Sequence, residues 1–279
     1  MKKKLSLGLF ALVFSLISGS ALAQDYEYHP ALSDSFHVSA GWFKSDNTFK
    51  VSLNGVDADW PEIDFGDDVG VDSTNSILNF QLRWNYGSED QWSLWGQYFK
   101  NKADGDATLE EDIEWGNVIF REGTFVGAGV SVEVIRLFAG YSFIKNDRSD
   151  LGAGFGIHNL DLSAFIEGEI LINDEGTGFH RGDGSTSAPL PNLGAWYFFS
   201  PAKKWLLHAR VDWISANIDA YDGTLWNANV GVNYQFFRNF GVDLAYQYFN
   251  LNLGIDKSSW NGSADMTYSG PVISLTANW

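Results

Sequence analysis

The chain has no cysteine among its 279 residues, so it can form neither a disulfide nor a thiolate metal site, and it cannot carry the acylated cysteine of a lipoprotein. Positive charge is scarce: 18 Lys and Arg face 35 Asp and Glu. A nucleic-acid partner, which would need clustered cations to neutralise phosphates, is therefore not expected. Past residue 23 there is also no run of eighteen apolar residues, which leaves no transmembrane helix. What the chain has in quantity is aromatic residues, with 12 Trp, 11 Tyr and 21 Phe, too many for a disordered polymer.

The first 23 residues are of a different kind from the rest. Lys2, Lys3 and Lys4 precede an apolar run from Leu5 to Ile17, and Ser18 to Ala23 are small residues ending in an A-x-A pattern. This predicts a cleaved signal peptide over residues 1–23, too short in its apolar part to act as a lasting anchor. A polar tail over residues 24–34 is expected to follow it in the periplasm.

From residue 35 onward the apolar residues recur with period two, which in a strand sends alternate side chains to opposite faces. Trp226, Ala228, Val230, Val232, Tyr234 and Phe236 alternate with Asn227, Asn229, Gly231, Asn233 and Gln235, so one face is hydrocarbon and the other amide. Leu78 to Tyr86 has the same form. Eight further stretches repeat it, at 36–42, 92–98, 135–143, 151–157, 193–199, 205–213, 242–248 and 273–279. A soluble sandwich alternates too, but its polar face usually carries charges rather than Asn, Gln, Gly and Ser.

The predicted fold is therefore all-β: a transmembrane, antiparallel, up-and-down barrel over residues 35–279, of about ten strands, with eight or twelve remaining open. Trp and Tyr at strand ends suit two interfacial girdles. Short connections after Tyr86, Ile144, Ser200 and Phe237 alternate with long spans at 44–76, 101–131, 167–190 and 252–267, read as acidic extracellular loops. Thr48 to Leu53 reads as the rising arm of a hairpin above the membrane.

The last strand ends on Trp279, with Ala277, Leu275 and Ile273 at alternate positions before it. That ending resembles the C-terminal signal by which outer-membrane barrels are recognised by their assembly machinery. With the leader and the strand pattern, it makes the chain resemble the small OmpA-like and OmpW-like barrels of Gram-negative bacteria. Two blocks, Glu62 to Asp72 and Leu137 to Leu160, are similar to an uncharacterised group of proteobacterial barrels. The resemblance implies an outer-membrane location and carries over no catalytic residue. The partners it implies are outer-membrane lipid, lipopolysaccharide and, during insertion, the assembly machinery.

Strand parity sends His37, Arg83, Arg136, His158, His208, Arg210, Asp212 and Asp243 into the lumen. Charges in a narrow, low-dielectric interior must pair, so a polar network is expected there; the alternative is a narrow pore with an electropositive constriction. An outer-membrane hydrolase, the third possibility, would need a Ser–His or Asp–His couple that substrate can reach. The nearest candidate is His180 with Asp183 in the third long span, and no enzyme activity is expected. Arg181-Gly182-Asp183 in the same span matches the tripeptide read by integrins, a short motif common by chance.

The acids of the first two long spans could suit a hard cation such as Ca²⁺ or Mg²⁺ bridging to lipopolysaccharide, the candidates being Asp64, Asp67, Asp68, Asp72, Asp104 and Asp106. The stretch from Asp104 lacks the Gly and the bidentate Glu of an EF-hand loop, with Leu109 and Trp115 in their places. No other cofactor is expected. The function expected from the sequence is thus a structural or surface-interacting barrel.

Overall fold

The computed structural model describes residues 27–54, 62–116, 118–172, 176–218, 220–258 and 260–279; the leader at residues 1–23 lies outside them. The described chain is strand and turn, with two single 3-10 turns at Pro30–Leu32 and Ser88–Asp90. The strands are β1 (Phe36–Asn54), β2 (Ile63–Asp64), β3 (Thr74–Tyr86), β4 (Trp92–Thr108), β5 (Ile113–Trp115), β6 (Val118–Phe120) and β7 (Phe125–Lys145). They continue as β8 (Ser149–Ile172), β9 (Gly176–Ala202), β10 (Trp205–Ile218), β11 (Tyr221–Gln235), β12 (Phe240–Lys257) and β13 (Trp260–Asn278).

Ten of these close into a barrel in the order β1, β3, β4, β7, β8, β9, β10, β11, β12, β13, each antiparallel to the next, and β13 pairs back onto β1. Each contains one of the ten alternating stretches read from the sequence. Closure removes both sheet edges, which hydrocarbon could not hydrogen-bond. At the seam the Phe36 N–H donates to the Trp279 carbonyl at 2.9 Å, and the Trp279 N–H donates back to Phe36 at 3.1 Å. Their rings stack with centroids 5.8 Å apart. Ile273, Leu275, Ala277 and Trp279 thus form the outward face of the closing strand.

A membrane-crossing strand needs only about nine to eleven residues, yet β7, β8 and β9 have 21, 24 and 27. At roughly 3.3 Å per residue, β9 runs about 90 Å along its own axis. Of the spans expected as long loops, 167–190 and 252–267 are thus largely barrel wall, and 44–76 and 101–131 begin and end as wall, at 44–54 and 74–76 and at 101–108 and 125–131. Thr48 to Leu53 is not a separate hairpin but the upper part of β1, in register with β13 from Thr48↔Thr267 to Leu53↔Gly262. Loop composition was misleading because these wall segments expose a charged face to water.

The wall changes character along its height. Trp42, Leu78, Leu82, Leu94, Leu137, Phe155, Leu193, Leu207, Val230, Leu244 and Leu275 are exposed on the outer face. They form a girdle of hydrocarbon whose proper solvent is lipid. Higher up, the outer face of the same strands carries Lys44, Lys50, Lys100, Asp104 and Asp161. There the apolar residues turn inward: Phe49, Val51, Ala103, Val126 to Val134 at alternate positions, Leu160, Leu162, Ile166, Leu251, Leu253 and Met266 make one buried cluster. The switch falls at adjacent apolar pairs such as Trp42-Phe43, Tyr98-Phe99, Val134-Ile135 and Tyr248-Phe249, where the first or second member faces out and its neighbour faces in.

Candidate functional site: the filled barrel interior

The lower mouth, at the short-turn end, is stoppered by the segment expected to be a polar periplasmic tail. His29, Pro30, Ala31 and Leu32 are all buried, with Ala31 and Leu32 packed on Leu206. The His29 N–H donates to Ser200 Oγ at 2.8 Å, and its Nε2–H donates to Asn233 Oδ1 at 3.1 Å. Nδ1 accepts the Ala31 N–H at 3.2 Å, so the ring is held neutral, and burial pushes its pKa down to about 4. Asp34 takes two bonds from Arg238, both at 2.6 Å, and a short one from the Asn278 amide. Polar composition hid the Pro-Ala-Leu plug between these residues.

All eight residues assigned to the lumen by parity face the interior, and most of them meet there. Arg136 Nη2 donates to Asp212 Oδ1 at 2.6 Å, with both side chains fully buried. Arg210 Nε lies 3.3 Å from Asp212 Oδ2, and Arg210 Nη2 donates to Gln97 Oε1 at 2.7 Å. His208 Nε2 contacts Asp243 Oδ1 at 2.8 Å. His158 is buried opposite Arg136 on the neighbouring strand. His37 and Arg83 line a small cavity with His208, Arg210 and Asp243.

Several partners went unread in the sequence. Asp150 is fully buried and accepts from Lys145 Nζ at 2.8 Å, Ser142 Oγ at 2.7 Å and Trp196 Nε1 at 3.0 Å. Arg83 Nη1 stands 3.8 Å from the same carboxylate. Asp150 shares inward parity with Gly152, Gly154, Gly156 and His158, which is the signal that could have found it. Trp196 lies across Gly140 and Gly152, where a Cβ would come within 2.5 Å and 2.2 Å of the indole; the glycines make room for a large ring inside the barrel. Above this polar zone the apolar cluster fills the lumen, with Phe65, Trp115 and Phe120 among its most buried members.

The six candidate metal ligands are not gathered into a site. Asp64 Oδ1 caps the N–H groups of Gly66 and Asp67, and Asp68 Oδ2 accepts the Asp64 N–H at 2.8 Å. Asp72 follows that turn, while Asp104 and Asp106 lie along β4, Asp104 being 3.7 Å from Lys102. Among the described residues no group of three or more potential ligands comes together. The Asp64 and Asp68 carboxylates order a turn that docks on β4 through the Val71↔Gly105 bridge.

His180 and Asp183 lie on β9, not in a loop. Asp183 is taken up by Arg181 at 2.9 Å, and Arg181 also reaches Glu167 at 2.8 Å and covers the Phe165 ring. The Arg-Gly-Asp tripeptide is thus held flat in a regular strand. An Asp–His contact does occur, at His208 and Asp243, but inside the barrel between the N-terminal stopper and the apolar core.

No protein-family model matches the chain, and no curated protein matches it. Among solved structures it is similar to the outer membrane protease OmpT from Escherichia coli, at 11% identity over 92% of this chain and 99% of that one, with a TM-score of 0.57. It also matches the translocator domain of the autotransporter NalP from Neisseria meningitidis, at 10% identity over 98% and 96%, with a TM-score of 0.45. The likeness to the protease is one of fold, an outer-membrane β-barrel, and the girdle of exposed hydrocarbon around this chain is what that location requires.

Proposed function

We propose that this protein is a closed, non-conducting outer-membrane barrel with a structural and surface-contact role. The observation that carries the reading is that the interior is occupied at three successive levels: the His29 to Asp34 stopper, the Arg–Asp network, and the apolar cluster. A solute path would have to cross the last of these, a buried cluster made of apolar side chains from most of the strands, which offers little to replace lost hydration. The pore reading is weaker for that reason, and so is the hydrolase reading, because His208 and Asp243 lie inside the barrel between the stopper and the apolar cluster.

On this reading the working surface is the tall wall of β7, β8 and β9. At its rim Phe125 and Phe179 are 63% and 71% exposed, and they flank a hollow of about 750 Å³ edged by Arg121, Glu122, Glu167 and Glu169. Exposed aromatics bordered by charge suit contact with another surface. Around the girdle the partners are outer-membrane lipid and lipopolysaccharide, and the Ile273 to Trp279 face addresses the assembly machinery during insertion. A place among the OmpA-like and OmpW-like barrels belongs to the same proposal, resting on that strand ending.

Planar-bilayer recording tests the closure. The purified protein should insert without discrete conductance steps in concentrated KCl, and stable, reproducible steps would overturn the reading.

A further inference from the structure

In the polar zone of the lumen the cations outnumber the carboxylates that contact them. Two carboxylates are each shared by two cations: Asp150 by Arg83 and Lys145, and Asp212 by Arg136 and Arg210. Asp243 is the third acid of this zone and faces His208. At contact distance four permanent cations, Arg83, Lys145, Arg136 and Arg210, thus share two carboxylates, a local surplus, with the buried Asp34 acting on Arg83 from farther off. In a low-dielectric interior such a surplus is costly unless something answers it.

The same region has donors without acceptors. Arg83 Nε and Nη1, Trp95 Nε1 and Arg210 Nε are buried and make no hydrogen bond. Arg83, Trp95 and Arg210 all line one cavity of about 70 Å³, together with His37, His208 and Asp243. Both guanidinium groups lie against the same indole, with centres 5.4 Å and 5.8 Å from the Trp95 ring centroid. Two like charges are thus drawn to one ring beside the cavity, and Arg83 keeps two nitrogens, Nε and Nη1, that make no hydrogen bond. Arg83 is only 3% exposed.

We propose that this cavity is an anion site, holding one small monovalent anion of halide size between Arg83, Arg210 and the Trp95 N–H. The volume is room for a small ion with a few waters. The ion would neutralise the surplus charge and satisfy donors that otherwise lose their hydration on folding. Lying between stopper and core, it would be a resident ion and not a permeating one. Gln97 stands beside the site, its Oε1 accepting from Arg210 and its Nε2 unpartnered. A carboxylate there would supply from the chain the charge that the anion brings.

The test is urea unfolding of the full-length barrel in detergent micelles, with sodium chloride exchanged for sodium gluconate at constant ionic strength. A ligand bound only by the folded state lowers the unfolding equilibrium constant tenfold for each tenfold rise in concentration above its Kd. The wild type should show that chloride-specific dependence, with bromide replacing chloride. Gln97→Glu should be insensitive to the exchange, and Trp95→Phe, which keeps the ring and loses one donor, should need about tenfold more chloride. If chloride and gluconate give the same curve, water fills the cavity and the proposal fails. If the chloride dependence persists unchanged in both variants, the ion binds elsewhere and this assignment fails.

Discussion

Asp212→Asn is the most severe single change that the interior offers. The carboxylate is fully buried and serves Arg136 at 2.6 Å, Arg210 at 3.3 Å and the amide of Asn192 at 3.3 Å. Asparagine fits the space but carries no charge, so two buried guanidinium groups lose their counter-ion at once. Breaking a buried pair by removing one partner costs about 3–5 kcal/mol, because the remaining ion stays desolvated. Since Arg210 keeps its bond to Gln97, Arg136 is the one stranded charge and the expected loss is that of a single broken pair, about 4 kcal/mol. Urea unfolding of the refolded protein, followed by tryptophan fluorescence, should show it as a lower midpoint at unchanged slope. Asp183→Asn is the matched control: its partner Arg181 is solvent-exposed, and the loss should stay below about 1 kcal/mol. Adding Arg136→Met to Asp212→Asn should recover part of the stability, since one stranded charge is then gone. A loss below about 1 kcal/mol for Asp212→Asn itself, with the barrel folded, would refute the reasoning that this network holds the interior.

Acid should loosen the N-terminal stopper. His29 has its pKa lowered from 6.5 to about 4 by burial, so the unfolded segment binds the proton more readily than the folded one. The stabilisation from the neutral ring is complete above about pH 6.5 and fades as pH falls toward 4, a loss on the order of 3 kcal/mol over that window. Hydrogen exchange of residues 29–34 at pH 7.5 and pH 4.5 checks this, and equal protection at both would count against it. The girdle can be mapped by a pair of variants: Leu137→Arg, 62% exposed on the outer face, should cost about 2–4 kcal/mol in a bilayer, whereas Asp161→Arg above the girdle should cost about 0–1 kcal/mol. Equal costs would mean that the lipid boundary has been drawn at the wrong height.

The membrane-level barrel was legible in the sequence because its outer face must meet hydrocarbon over some ten residues per strand, and amides on the other face make the alternation plain. All ten strands, the short turns after Tyr86, Ile144, Ser200 and Phe237, and the inward set from His37 to Asp243 follow from that single constraint. The upper wall obeys the opposite rule. There water lies outside and apolar side chains fill the inside, so Val126 to Val134 and Phe249 to Ile255 alternate as in any soluble sheet while their charged faces imitate loop composition. The doublets Tyr98-Phe99, Val134-Ile135 and Tyr248-Phe249, where the pattern slips by one residue, were the available sign that strand continued past the membrane.

By itself, then, the order of residues determined which face of each strand is apolar, that about ten strands close the barrel and that the set from His37 to Asp243 turns inward, because these depend on period-two geometry. Only the tertiary structure decided which inward groups touch. The approach of Arg83 to Asp150, the bond from Arg136 to Asp212, the insertion of His29 below Ser200 and the cavity beside Trp95 depend on contacts between segments far apart in sequence, set by barrel closure and the vertical stagger of its strands, which no local pattern encodes.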